Sequence, residues 1–149
     1  MEKALTIKNP WAYLIASGIK TVENRSRRTH YRGKILIHSS KVNDKTSVHI
    51  SDLLTEEQWN FLSIKDKMIM TVGEFNNSSI IGEAEIVDCI ENSKSVWAVP
   101  GQWHWIIKNA VLYPHPIQNI KGKLGIWNYD HNPSNTPLEY FTITKKEGI

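Results

Sequence analysis

The sequence predicts an α+β fold, a small β-barrel with helices inserted early and in mid-chain. Three observations predict it. Short alternating or β-branched runs recur at residues 4–8, 21–26, 34–39, 80–90, 103–108 and 122–127, separated by Gly, Pro and Asn turn signals. Residues 10–17 and 43–66 carry helix signals instead. The last strand-like runs, 117–120 and 122–127, stand where they would close the barrel-like part.

Taken in order, residues 4–8 read as a first strand. Asn9 is suited to cap a helix and Pro10 to open it; Trp11, Leu14 and Ile15 recur at i, i+3 and i+4, and Gly18 stands where a left-handed residue ends a helix. If residues 21–26 are extended, Thr21, Glu23 and Arg25 share one face, while Val22 and Asn24 share the other and Val22 turns to the core. Lys20 lies outside that alternation and joins Glu23 and Arg25 only if the chain bends between Gly18 and Lys20. Residues 26–32 read as a polar connection and 34–39 as a central strand. Thr55 and Gln58 form a capping-box pair ahead of the apolar Trp59 and Leu62, which makes residues 43–66 a helical scaffold over one side of the sheet. Residues 75–79 are a turn. In the strand that follows, Glu83 and Glu85 share a face, either as an acid/base pair or as solvated positions. Trp103 and Trp105 alternate with His104 and offer either a core wall or a stacking platform for a base. Pro114-His115-Pro116 punctuates the chain before the closing strands. From residue 132 the chain reads as a looser extension with one further strand through Tyr140 to Thr144.

At 149 residues, 40% hydrophobic and 22% charged, the chain fits one globular domain spanning residues 1–149. The single cysteine, Cys89, excludes an internal disulfide and a cysteine-built metal cage, and it suits a reducing, cytoplasmic setting. Val87 and Ile90 beside it favour a buried thiol over a catalytic one. The six histidines lack zinc-ligand spacing, so neither a metal nor another cofactor is expected. No apolar run reaches the roughly 18 residues of a membrane span, and the N-terminus enters a strand-like alternation rather than a signal-peptide core. A soluble monomer is the expected state.

Charge is strongly segregated. Residues 1–41 carry nine Lys/Arg against two acids, residues 42–91 three against ten, and residues 92–149 six against three. An acidic ligand is steered to the first of these, although the net charge of +3 is too small to coat long nucleic acid by electrostatics alone. Between Lys20 and Lys41 the cations Arg25, Arg27, Arg28, Arg32 and Lys34, with His30 and His38, surround one acid, Glu23. Arginine forks there suit phosphate oxygens, and the lone carboxylate suits a cation or a donor on a base; the alternative is a solvated basic strand edge. His38-Ser39-Ser40-Lys41 is a cluster of small donors ending on a cation, fit for phosphate or sugar oxygens or for a Ser-rich turn.

Gly18, Lys20, Glu23 and Arg25 form a Gly-x-Lys-x-x-Glu-x-Arg pattern. It is preceded by Asn9-Pro10-Trp11-Ala12 and followed by Tyr31-Arg32-Gly33 and Ile37-His38-Ser39-Ser40-Lys41. This arrangement resembles the signature of the ASCH domain, within the PUA-like superfamily. Weaker echoes run through Val87-Asp88-Cys89, Ser95-Val96-Trp97, Trp103-His104-Trp105 and residues 121–127. The resemblance implies a PUA-like barrel with a basic cleft beside the first helix. Lys20, Glu23 and Arg25 would form the polar floor of that cleft, and Trp11 and Asn9 would support its wall.

The reading that follows is a binding module for RNA, a nucleotide or a nucleoside. Arg25, Arg27, Arg28, Arg32 and Lys41 hold phosphates in it, and Lys20 and Glu23 read a base or sugar edge. The alternative is a hydrolase, with Lys20 and Glu23 as its catalytic candidates. The resemblance extends to amidohydrolases that deacetylate N4-acetylcytidine with a lysine at the position of Lys20 and a threonine three residues later, and to ribonucleases. Here Glu23 replaces that threonine, and a neighbouring carboxylate favours the ammonium form of Lys20 over the free amine unless burial offsets it. For a ribonuclease, His30, His38 and His104 are the candidate proton shuttles.

Overall fold

The structure, a computed structural model, describes residues 1–130; the extension from residue 132 and its strand at 140–144 lie outside them. The chain opens with strand β1 (Glu2–Ile7), which hands over to helix α1 (Trp11–Ala16). Pro10 rather than Asn9 stands at the cap position, and the Asn9 carboxamide oxygen accepts the Tyr13 N–H at 3.0 Å, which pairs one of the free donors of the first turn. Gly18 ends the segment at φ +82°, as a left-handed residue past the helix should. Strand β2 (Val22–Arg25) and strand β3 (Gly33–Ser39) follow. A 3-10 turn (Ile50–Leu53) leads to helix α2 (Glu56–Asn60) and helix α3 (Ile64–Val72). The capping box forms at α2, with Thr55 and Gln58 exchanging both hydrogen bonds. The long strands β4 (Ser79–Ile90) and β5 (Trp103–Ile117) and the short β6 (Ile126–Tyr129) complete the described chain.

The expected barrel does not form. The six strands lie in one open mixed sheet in the order β2-β5-β4-β3-β1-β6, with β1 and β3 parallel and the other pairs antiparallel. Among the described residues no ladder joins the edge strands β2 and β6. Of the runs expected to close the barrel, 117–120 and 122–127, residues 118–125 form no strand, and the short β6 that begins at Ile126 pairs with β1 alone. The physical reason lies in the edges, which are only four residues each, and in how the sheet curls. Register slips between β4 and β5 coil the two long strands. Although β2 stands four places from β1 in the order, the Arg25 guanidinium reaches the Thr6 carbonyl at 2.9 Å. A side chain spans the gap that a ladder would otherwise fill.

A second expectation also changes. β5 runs straight through Pro114 and Pro116 to Ile117. Both prolines fall between the pairs Gly82↔Leu112 and Ile80↔Ile117, where the register slips, so their missing N–H groups cost no ladder bond.

The core has three parts. α1 packs Ala12, Ile15 and Ala16 onto Leu5, Ile7, Ile35, Ile37 and Ile86 of the sheet. Ala4, Leu36, Ile80, Ile117 and Trp127 form a second cluster. Leu14, Val22, Leu62, Met70 and Trp97 join α1 and β2 to the helical segment. Close approach of α1 to the sheet depends on Gly82, where a Cβ would lie 2.3 Å from the Val111 carbonyl oxygen and 3.1 Å from the Ala16 Cβ. The first of these is backbone and cannot swing away. Gly82→Ala should therefore cost about 1–3 kcal/mol of unfolding free energy in urea, and an unchanged midpoint would refute this packing.

Candidate functional site

A cleft of about 520 Å³ opens beside the N-terminal end of α1. Thr6, Ile7 and Lys8 at the end of β1 line it together with Trp11 of α1 and with Lys20, Glu23, Asn24 and Arg25. Asp44, Gln58 and the segment bearing Trp97, Val99 and Gln102 complete the lining.

The bend after Gly18 brings Lys20 to Glu23. Its Nζ lies 3.6 Å from one Glu23 carboxylate oxygen, an ion pair longer than a hydrogen bond, and donates to the Val22 carbonyl. The other Glu23 oxygen accepts the Arg25 Nε–H at 2.8 Å. Lys20 is 4% exposed and Glu23 6%. Burial therefore dominates the lysine and pushes its pKa below the ordinary value, against the upward pull of Glu23 and with a smaller downward push from Arg25. This reverses the balance expected from the sequence, in which the carboxylate next door sets the protonation state.

Five further contacts fix the walls. The Trp11 indole N–H donates to Asp44 at 2.9 Å, and the Lys20 ammonium stands 5.8 Å from the Trp11 ring centroid. Burial raises the Asp44 pKa, but hydrogen bonds from Trp11 and Thr46 outweigh it and hold the carboxyl below its usual range. Asn24 clamps the facing segment by donating to the Trp97 carbonyl and accepting the Val99 N–H, and Gln58 of α2 donates to the Val96 carbonyl. Trp97 is 2% exposed, and its indole N–H has no acceptor among the described residues.

The other residues singled out from the sequence occupy different places. Asn9 is buried and donates to Asn77 while holding α1. Arg27, Arg28 and Arg32 lie outside the cleft lining. Arg28 stands over the Trp103 ring at 5.5 Å, and Arg32 binds the Thr29 and Tyr31 carbonyls. Trp105 is buried in the sheet core, donates to the Arg27 carbonyl and carries Arg25 at 5.7 Å from its ring. Ser39 is buried and donates to the Asn76 and Ser79 carbonyls. His38 lies between the Thr6 hydroxyl and the Ile120 carbonyl, and burial lowers its pKa. Ser40 and Lys41 line a second groove with His38.

His104 is buried; its Nδ1 accepts the Ser93 N–H and its Nε2 bonds the Val99 carbonyl. Neither His38 nor His104 faces the cleft, and His30 is exposed elsewhere. Glu83 accepts from Tyr113 and Glu85 from Asn109. Cys89 is a free, buried thiol.

Sequence reasoning missed Thr6, Ile7, Lys8, Asn24, Asp44, Gln58, Val99 and Gln102 as lining residues. Of these only Gln58 belonged to a recognisable motif, the capping box, which points to a helix start rather than to a cleft. For Trp97 a signal existed, because the indoles outnumber what a core of this size needs. Among the described residues no cluster of His, Cys, Asp or Glu could hold a metal ion, and no helix is long and apolar enough to cross a membrane.

Comparison with known proteins adds the family. The model of the ASCH domain matches residues 5–144. The chain is 26% identical over 137 residues to human Activating signal cointegrator 1, which covers 85% of this chain and 22% of the relative. The mouse protein of the same name matches to the same extent. The chain therefore spans about a fifth of the length of the curated relatives it matches.

Proposed function

Because the chain belongs to the ASCH domain family, we propose that it is a reader of RNA or of a nucleotide, with a base or sugar edge held between Lys20 and Glu23. The observation carrying this reading is a buried ammonium–carboxylate pair, continued by the half-buried Arg25 guanidinium, that lines a cleft of about 520 Å³, within the usual size range of small-ligand sites. Glu23 accepts an amino N–H and Lys20 donates to a carbonyl, the complement of a base edge that carries both groups. Trp11 and Trp97 supply apolar surface. Lys8, at the rim, is placed to take a phosphate.

A thermal-shift and mass-spectrometric screen against nucleosides, nucleotides and short RNAs, N4-acetylcytidine among them, tests the reading. Stabilisation without mass change, lost in Lys20→Met, is the expected result. No shift with any of these ligands would overturn it.

One observation favours hydrolysis as a second reading. Burial pushes Lys20 toward the free amine that a general base or nucleophile requires. Conversion of N4-acetylcytidine to cytidine and acetate, with a rate that rises with pH as the amine deprotonates, would make the chain an enzyme. The histidine-based ribonuclease reading has no such support, since neither His38 nor His104 lines the cleft and the ring nitrogens of both are engaged in hydrogen bonds within the fold.

A further inference from the structure

A second groove, of about 640 Å³, lies next to the first. Thr6 lines both. Its carbonyl receives Arg25 on the cleft side, and its hydroxyl meets His38 Nδ1 at 3.1 Å and the Trp127 indole N–H at 3.0 Å. One residue of β1 therefore separates the two sites.

The groove is cationic. Lys41, Lys121 and Lys123 line it, no acid does, and none of the three lysines takes part in an ion pair among the described residues. Ser40, Ser78 and Asn119 add neutral polar groups. The segment carrying Lys121 and Lys123 is anchored where it begins, at Ile120. The Ile120 N–H donates to the Ser78 carbonyl at 2.8 Å, and the Ile120 carbonyl bonds His38 Nε2 at 2.7 Å. Gly122 presses so closely on this pair that a Cβ would lie 2.6 Å from both the His38 ring and the Thr6 hydroxyl. Lysines on a pinned backbone lose less freedom on binding than lysines on a loose loop.

We propose that this groove carries the phosphate backbone of a single-stranded nucleic acid whose base occupies the Lys20–Glu23–Arg25 cleft, so that the ligand is a nucleotide within a strand rather than a free nucleoside. The inference rests on the reading of the cleft given above and adds the direction in which the strand leaves it. Lysine ammonium groups and small polar side chains suit phosphodiester and sugar oxygens without selecting sequence. An acidic protein segment would meet the same charges, but continuity with a base-sized cleft favours the nucleic acid.

The test compares a mixed-sequence single-stranded RNA octamer, its DNA counterpart, the four ribonucleoside monophosphates and a polyglutamate octamer, binding to the full chain. The variants are wild type, the Lys121→Ala/Lys123→Ala double variant and Lys20→Met. The double variant should bind the RNA or DNA octamer about 10-fold more weakly, with a log Kd against log salt slope shallower by roughly 1.4, about 0.7 for each phosphate that is no longer neutralised. Its monophosphate affinity should be unchanged, whereas Lys20→Met should bind both ligands about 10- to 100-fold more weakly. An unchanged octamer affinity and slope in the double variant would overturn the groove, as would an equal loss for octamer and monophosphate. Polyglutamate binding as tight as the octamer would overturn the nucleic-acid assignment. Octamer binding that depends on Lys121 and Lys123 but not on Lys20 would keep the groove and overturn the cleft reading instead.

Discussion

Glu23→Ala is expected to cost about 3 kcal/mol or more of stability, a large fraction of the 5–15 kcal/mol typical of a domain. The carboxylate is shared. One oxygen faces the Lys20 ammonium at 3.6 Å and the other holds the Arg25 Nε–H at 2.8 Å. Removing it leaves a buried lysine with no counter-charge except the distant face of an indole. It also frees Arg25, the side chain that ties edge strand β2 to the Thr6 carbonyl of β1. Lys20 can relieve part of the strain by losing its proton, so the cost should shrink as pH rises. Glu23→Gln keeps the shape and an acceptor for Arg25 and should cost about half as much. Urea denaturation of the three proteins at two pH values reads both effects. A cost below about 1 kcal/mol for the alanine variant would mean that the ion chain does not hold the open sheet together.

How much of this was legible in the sequence depended on the range of the interaction. The helix exit at Gly18, the capping box of Thr55 and Gln58, and the alternation that sets Glu23 apart from Val22 are local, and local spacing specifies them. Lys20 needed one more step, a bend that Gly18 permits. The closure of the sheet was not legible, because alternation identifies a strand without naming its partner. The parallel pairing of β1 with β3 and the unpaired edges of β2 and β6 are decided by contacts far apart in the chain. Pro114 and Pro116 misled for the same reason, since a proline breaks a strand only where its N–H is needed.

The cleft shows the same division. Its polar floor came from six consecutive positions, residues 20–25, and its outer wall from Asp44, Gln58 and Trp97 in three separate segments. His38 and Ser39 look like binding residues because donors were clustered. Their bonds to the Ile120, Asn76 and Ser79 carbonyls, across 37 to 82 residues, lie beyond any spacing argument.

Lys20→Met should separate function from stability. Methionine fills nearly the same volume as the lysine stem, and Glu23 keeps its Arg25 partner, so no buried charge is left unpaired. Relief of the desolvation of a buried ammonium offsets the loss of its 3.6 Å contact to Glu23 and of its bond to the Val22 carbonyl, so the variant should melt within a few degrees of wild type. Its pH profile should differ. Between the lowered pKa of folded Lys20 and the ordinary value of 10.5, the unfolded chain binds more protons than the folded one. Wild-type stability therefore gains from this group as pH rises through that window, and the variant loses that slope. Ligand binding should fall about 10- to 100-fold, the worth of a charge-assisted hydrogen bond of roughly 1.5–3 kcal/mol. Melting curves across pH together with calorimetric titration of the ligand found in the screen would read all three quantities. If the variant lost stability and binding in proportion, Lys20 would be a structural lysine and the cleft would have to be read without it.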